Sequence, residues 1–352
     1  MRNERSQTRI PTEWVGPIFF DRMYYISDHQ ESVEITAPLA TYETALFHTV
    51  NRGAKVTRLV KSLKTTVLSD YMTRSLLFEA KSAHEANQVA QLVKSKITYY
   101  QEHIVQKSSA YAVLDKIHTK IVGTLLYIRL AYKTGEASGH NMSTFASDEI
   151  GLDILNAFPN LKYISVSGNY CVDKKVSAVN SLLGRGKHVV AEIMIPKQIL
   201  SDVLRTTSQK MVELNLKKNL IGSIASGSLM SANAHYANML LAFYLATGQD
   251  GANIVEGSQG ITYCEEKDGD LYFSVTLPNI IVGTIGHGKD AVDANQNLEK
   301  INCLKKDGAQ KLAQIATALI LCGELSLMAA LTNQKELTRS HKNIERKGVH
   351  RS

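Results

Sequence analysis

The chain has 352 residues, 44% hydrophobic and 21% charged, enough apolar material for one large or two moderate cores, and it carries no repeat or low-complexity segment. Forty basic against thirty-three acidic residues leave a net +7, an excess that suits an anionic ligand and is partly spent in the terminal stretch RSHKNIERKGVHRS. Cys171, Cys264, Cys303 and Cys322 are scattered with no CxxC pair, which argues against a metal site or a disulfide framework and fits a reducing cytoplasm.

The chain opens with MRNERSQTRI, which runs into charge without the apolar core of a signal peptide. Glu43, in PLATYETAL, has only uncharged neighbours for several positions each way. A carboxyl group shielded from water holds its proton to higher pH and can donate it. From Ser75 the periodicity becomes informative. SLLFEA (75–80) reads as a strand, SAHEANQVAQLVKSK (82–96) as an amphipathic helix, and HTKIVGTLLYIRLAY (118–132) as two strands meeting near Gly123. NMSTFASDEIGLDILNAF (141–158) reads as a second helix and LKYISVSG (161–168) as a closing strand. That order, β-α-β-β-α-β, is the ferredoxin-like unit. The expected fold is therefore α+β: a large domain formed by 1–74 and 167–352, with a small ferredoxin-like domain, 75–166, inserted into it.

SGNYCVDKK (167–175) lies where the chain re-enters the large domain, a natural place for a cleft. GRGKHVVAEIMIP (184–196) contains a buried strand. SANAHYANMLLAFYLATGQD (231–250) has helical spacing, with Ser231 placed to cap its start and Gly248 its end. Asp250 follows that C-terminus, where the helix dipole disfavours an acid unless it is paired. DLYFSVTLPNIIVG (270–283) reads as strand. The apolar window 312–331 is long enough to span a bilayer, but Glu324 and Ser326 at its middle mark a helix of the protein core.

Two glycine loops suit phosphate. TGEASGHNM (134–142) leads into the second helix of the inserted unit, where unpaired N–H groups and the dipole favour an anion. IVGTIGHGKDAV (281–292) nearly matches GxxxxGK, yet Asp290 stands where a magnesium-binding hydroxyl belongs, so a P-loop hydrolase is a poor reading. It also fits GxGxxA, but no further strand follows, and a dinucleotide fingerprint needs one. His341 sits in LTRSHKN beyond the apolar helix; spacing alone reads it as solvated surface.

Together PLATYETALFHTVNRG (38–53), MTR (72–74), SGNYCVDKK, GRGK (184–187), MVELNLKKN (211–219), NAHYAN (233–238), ATGQD (246–250), GTIGHG (283–288) and GELSLMAAL (323–331) resemble hydroxymethylglutaryl-CoA (HMG-CoA) reductases, over nearly all of the chain from Glu13. Their order, and DKK above all, is similar to the eukaryotic and archaeal class. The resemblance implies four catalytic residues: Glu43, Lys174, Asp250 and His341. It places Arg74, Ser167, Asp173, Lys175 and Lys218 around the HMG carboxylate, Asn238 as a further active-site group, and Arg52 near the CoA moiety. It implies a nicotinamide cofactor on the inserted domain, NADPH by class with NADH as the alternative, touching Tyr111, Glu136, Gly139, Asn141, Met142, Gly286 and Gly288. It implies no metal, no nucleic acid, and a homodimer or homotetramer whose active sites are shared between subunits. The membrane anchor of the animal enzymes has no counterpart in this sequence, so a soluble cytoplasmic reductase acting on HMG-CoA and coenzyme A is expected.

The chain departs from the family at the cofactor loops. The usual DAMGMN reads EASGHN, GGG reads GHG, and Ala110 stands where animal enzymes carry an arginine ahead of Tyr111; Lys107 or Lys133 could supply that charge. These changes motivate a second reading, a CoA-thioester-binding homologue with altered redox chemistry or NADH preference.

Overall fold

The computed structural model describes residues 8–286, 288, 289, 291–336 and 338. Two hydrophobic clusters organise them, one built from residues between Val15 and Val67 together with many after Val189, the other from residues between Leu76 and Leu161.

The first cluster underlies a sheet that begins with a hairpin. β1 (Thr12–Tyr24) and β2 (Gln30–Ala40) pair antiparallel around a tight turn in which Asp28 has φ +60° and Tyr25 N–H donates to the His29 carbonyl at 3.0 Å. α1 (Thr44–Val60) follows, then the long β3 (Lys64–Glu79). β3 serves two sheets. Its Lys64–Tyr71 part pairs with β7 (Gly186–Ile195), while Met72–Glu79 pairs with β5 (Leu125–Lys133) and, at its end, β6 (Lys162–Ser165). The first sheet runs β2-β1-β3-β7-β9-β8, with β8 at Ile261–Lys267 and β9 at Asp270–Ile280.

The second sheet adds β4 (Val113–Val122) beyond β5, so its order is β4-β5-β3-β6, antiparallel throughout. Its helices are α2 (Ala83–Ser95), capped where the Ser82 hydroxyl accepts from Glu85 N–H, and α3 (His140–Ala157). This is the βαββαβ arrangement read from the sequence, and Gly123, at φ +59°, makes the β4–β5 turn. Residues 97–108 stay helical beyond α2, with a π-type stretch at Gln101–Val105, where the sequence suggested no element.

α4 (Tyr236–Ala246) starts four residues later than a cap at Ser231 suggested, with His235 at the N-cap instead. The reason is Glu324, fully buried, whose carboxylate accepts from Ala234 N–H at 2.6 Å, His235 N–H at 3.1 Å and the Thr262 hydroxyl at 3.0 Å. A carboxyl acceptor from a distant helix thus satisfies the donors that a local serine would have taken. The other end is as expected: Gly248 takes φ +66° and Gln249 N–H closes on the Tyr244 carbonyl at 2.9 Å.

α5 (Val292–Lys300) and α6 (Gly308–Leu331) complete the described chain. By length and composition α6 could cross a membrane, yet 94% of its apolar window is buried inside the protein, where each enclosed Leu or Ile contributes roughly 1.5–3 kcal/mol. α1 crosses it at Gly53, where a Cβ would stand 2.1 Å from the Cys322 carbonyl oxygen.

Candidate active site

The loop after β6 carries the chemistry. Asn169, Val172 and Lys174 all adopt left-handed backbone, at φ +56°, +44° and +56°. Asparagine tolerates this; a β-branched valine does not, so the surroundings must impose the shape. They do so through buried polar contacts. Thr73 donates its hydroxyl to the Cys171 carbonyl at 3.3 Å, Asn180 its amide to the Val172 carbonyl at 2.7 Å, and Arg185 a guanidinium N–H to the Asp173 carboxylate at 2.6 Å. Lys174 N–H donates to the carboxylate of buried Glu256 at 3.1 Å.

So held, Lys174 sends its ammonium to Asp250, Nζ to Oδ2 at 2.7 Å. The Asp250 hydrogen bond raises the lysine's pKa. For Asp250, burial pushes the carboxyl up, but the hydrogen bonds from Lys174 and from Ala252 N–H outweigh it and hold the group below its ordinary range. Asp173 follows the same balance: burial opposes ionisation, while the nearby His140 ring and the hydrogen-bonded charge of Arg185 drive its pKa well down. Both carboxylates are therefore ionised at neutral pH, and the lysine is charged.

These groups form one wall of a cleft of about 710 Å³, shared with Arg74. The rest of its lining comes from the two glycine loops. Gly139, at φ +87°, precedes α3, whose first turn holds no acid and whose N-cap offers no side-chain bond, so the His140–Met142 end presents N–H groups to the cleft. Gly286 and Gly288 line the same wall. The loops meet backbone to backbone: a Cβ on Gly283 would lie 2.4 Å from Ser138 N, and one on Gly248 would lie 2.3 Å from the Gly288 carbonyl oxygen. Arg74 Nε is buried without a hydrogen-bond partner, as is His140 Nε2, which lies 3.6 Å from Asp173. Glycines where the loops cross, the open end of α3 and buried nitrogens without partners fit a phosphate-bearing, planar cofactor.

Of the residues singled out from the sequence, Arg74, Asp173, Lys174, Asp250, Gly139, Asn141, Met142, Gly286 and Gly288 line this cleft. Lys175 is exposed at its rim and donates to the Asp173 carbonyl at 3.1 Å, while Ser167, also exposed, turns its hydroxyl toward Cys171 Sγ at 4.0 Å. Glu43 lies elsewhere in the chain, beside the N-terminus of α1, in an adjacent hollow of about 270 Å³ where Asn238 donates to it at 2.8 Å. Leu241 and Leu245 of that hollow back onto Gly251, the neighbour of Asp250. Lys218 lines a third hollow.

Three positions are placed away from any ligand-facing role within this chain. Arg52 donates to the Val203 and Leu204 carbonyls and pairs with Glu336 at 3.3 Å. Tyr111 is 73% exposed and off the cleft. Glu136 turns its carboxylate to Ala309 N–H at 2.7 Å and the Thr284 hydroxyl at 3.3 Å, clasping the first glycine loop to the start of α6 and to the second loop. Lys133 is engaged by Asp115 at 2.9 Å. His341 lies outside the described residues. Sequence reasoning missed His140, Arg185 and Glu256. His140 was visible only as a letter out of place in EASGHN; the two buried charges gave no signal beyond GRGK.

The sequence pattern of the family described as hydroxymethylglutaryl-coenzyme A reductase matches residues 6–346. Among curated relatives, the 3-hydroxy-3-methylglutaryl-coenzyme A reductase of Pyrococcus abyssi is 41% identical, covering 98% of this chain and 84% of its own length. That of Methanocaldococcus jannaschii is 39% identical with the same two coverages. Among solved structures, the class II 3-hydroxy-3-methylglutaryl-CoA reductase from Streptococcus pneumoniae bound to NADPH superposes with a TM-score of 0.74 at 16% identity, over 95% of this chain and 88% of the other, a likeness of fold. With nearly its whole length matched and the lysine–aspartate pair set in the cleft, this chain belongs to the hydroxymethylglutaryl-coenzyme A reductase family.

Proposed function

We propose that the chain reduces HMG-CoA to mevalonate and free CoA with two equivalents of reduced nicotinamide cofactor. The observation that carries this reading is the Lys174 ammonium held 2.7 Å from Asp250 in the cleft that the glycine loops also line. The N-terminal turn of α3 and the Gly286–Gly288 strap would hold the cofactor; when bound, it supplies the hydride in each of two steps.

Thioester reduction first turns a neutral carbonyl oxygen into an oxyanion. Lys174, kept charged and oriented by Asp250, stabilises that oxygen. Collapse releases the CoA thiolate, and His341 protonates it in the role implied by family resemblance. Glu43, steadied by Asn238, delivers the second proton to the carbonyl oxygen as the aldehyde becomes an alcohol. Two hydrides and two protons then balance the four-electron change. Because Asp173 is ionised, it cannot grip the substrate's carboxylate, as the sequence reading had it. It accepts a hydrogen bond from the substrate hydroxyl, while Arg74 and Lys175 meet the carboxylate.

The finer reading is of a eukaryotic and archaeal class enzyme, cytoplasmic, using NADPH, and assembled as a dimer or tetramer. NADPH is favoured by the ligand named for the streptococcal structure. Assembly is favoured because Glu43, Lys174 and Lys218 line separate hollows in one chain and because Leu216, Ile221 and Ile224 are exposed nearby in sequence to Lys218. The boundaries 1–74, 75–166 and 167–352 remain the proposed domain division, and all four cysteines are buried free thiols, as suits a reducing compartment.

The test is cofactor oxidation with HMG-CoA, run separately with NADPH and NADH, with mevalonate quantified. Two cofactors consumed per mevalonate is the expected result; no oxidation of either would end the proposal. A catalytically active monomer in sedimentation would refute the shared-site reading alone.

A further inference from the structure

Lys174 is held at two points by a single short segment. Asp250 meets its ammonium, and Glu256, six positions on, meets its main-chain N–H at 3.1 Å. The segment between them is compact. Asp250 accepts from Ala252 N–H at 3.0 Å, Asn253 donates its amide to Glu256 Oε1 at 3.0 Å, and Gly251 packs against Leu241. Glu256 is completely buried. A buried carboxylate is expensive unless paired, and its partner here also holds the loop: Arg185, just ahead of β7 and completely buried, lies 3.6 Å from Glu256 and 2.6 Å from Asp173. The same guanidinium donates to the Thr73 carbonyl at 2.6 Å. Asp173, Lys174 and the segment 250–256 are thereby tied into one buried polar network.

The loop needs such a tether because its own backbone does not favour the shape. Lys174 sits at φ +56°, next but one to Val172 at φ +44°. In this left-handed conformation the Lys174 N–H points into the protein at Glu256 rather than along a strand or helix.

We infer that Glu256 is a positioning residue for Lys174, its Oε1 fixing the lysine main chain in the left-handed conformation while Arg185 fixes Asp173 beside it. This deepens the proposed reductase reading and rests on it for its kinetic consequence. The ammonium reaches Asp250 and the reacting oxygen only if the Cα from which it extends is fixed.

One feature makes the tether separable from charge. Both hydrogen bonds to the Glu256 carboxylate fall on Oε1, while Oε2 is buried without a partner. Glu256→Gln keeps the acceptor at Oε1 and places its amide nitrogen where no hydrogen bond is lost. Glu256→Asp keeps the charge but withdraws the acceptor by one methylene. Glu256→Leu removes both.

Four measurements are made on the full chain: kcat with HMG-CoA, KM for the nicotinamide cofactor, hydrogen exchange of the peptide spanning 167–175, and the thermal melt. Misplacing a reacting group by about 1 Å costs on the order of 10²-fold, so Glu256→Asp and Glu256→Leu should lose roughly that in kcat. Cofactor KM should hold within about twofold, because Glu256 is buried behind the cleft and is not one of the residues that line it. The 167–175 peptide should exchange faster in both. Glu256→Gln should resemble the wild type in all four measurements. The inference is overturned if Glu256→Asp keeps the rate while Glu256→Gln loses it, since charge would then be what matters. It is equally overturned if the variants lose kcat, cofactor affinity and thermal stability in parallel. An inactive wild type would sink the reductase reading while leaving the exchange measurement to judge the tether.

Discussion

Lys174→Ala separates catalysis from stability more cleanly than any other change at this site. The lysine and Asp250 are 40% and 46% exposed, so their 2.7 Å pair is screened by water despite its short distance. Exposed ion pairs of this kind contribute about 0–1 kcal/mol, and removing this one should shift folding stability by no more than that. Its catalytic weight is different. Loss of one donor to a developing oxyanion reduces kcat by about 10²–10³-fold, equivalent to about 2.7–4 kcal/mol of barrier, and a full ammonium should fall at the upper end. The backbone tether to Glu256 survives the truncation, because it uses the main-chain N–H. The assay is paired: urea unfolding by circular dichroism, and cofactor oxidation at saturating HMG-CoA. A stability change under about 1 kcal/mol with kcat reduced at least a hundredfold is expected. A variant that keeps a tenth or more of the wild-type rate would refute the assigned role, and a large stability loss would show that the pair is structural.

Three further outcomes follow from the geometry. Gly248→Ala forces a side chain into left-handed backbone at φ +66° and against the Gly288 carbonyl 2.3 Å away, so stability should fall by about 1–2 kcal/mol or more and cofactor KM should rise several-fold; an unchanged KM would mean that the glycine strap does not shape the cofactor wall. Gly53→Ala places its Cβ 2.1 Å from the Cys322 carbonyl at the α1–α6 crossing, and should destabilise by about 1–3 kcal/mol with KM values unaltered, as thermal melts beside kinetics would reveal. The Asp173 carboxyl is held below its ordinary range, so its contribution is complete above the unfolded value near 3.9 and is lost as pH falls beneath it; Asp173→Asn should flatten the acid limb of stability between about pH 4 and 2, and identical slopes would assign that limb to other groups.

Periodicity made the inserted unit readable because each of its elements is amphipathic in a way that local sequence records. The helix at 141–158 and the strand after Gly123 stand within a residue or two of their expected limits, the strand before it begins five residues earlier than 118, and the strand order follows from the βαββαβ sequence. The start of α4 was misjudged for the opposite reason. Its donors are satisfied by Glu324, ninety positions away from Ala234, and no local pattern can announce an acceptor that arrives through the core. β3 was likewise seen only in its second half, since a strand shared by two sheets changes its partners at Tyr71 and Met72 without any change in its letters.

The residue types for the chemistry were present in the chain order: a lysine after two small residues and an aspartate, an aspartate behind a helix C-terminus, and glycine loops ahead of helices. Covalent spacing and local propensity were enough to name them, and resemblance was enough to give them roles. What folding alone decided is which of these groups meet and in what state of charge. Lys174 and Asp250 are 76 positions apart, and their approach depends on two buried charges, Arg185 and Glu256, that no periodicity reveals. Desolvation and hydrogen bonding act over a few ångströms of space, whereas sequence patterns report only neighbours along the chain.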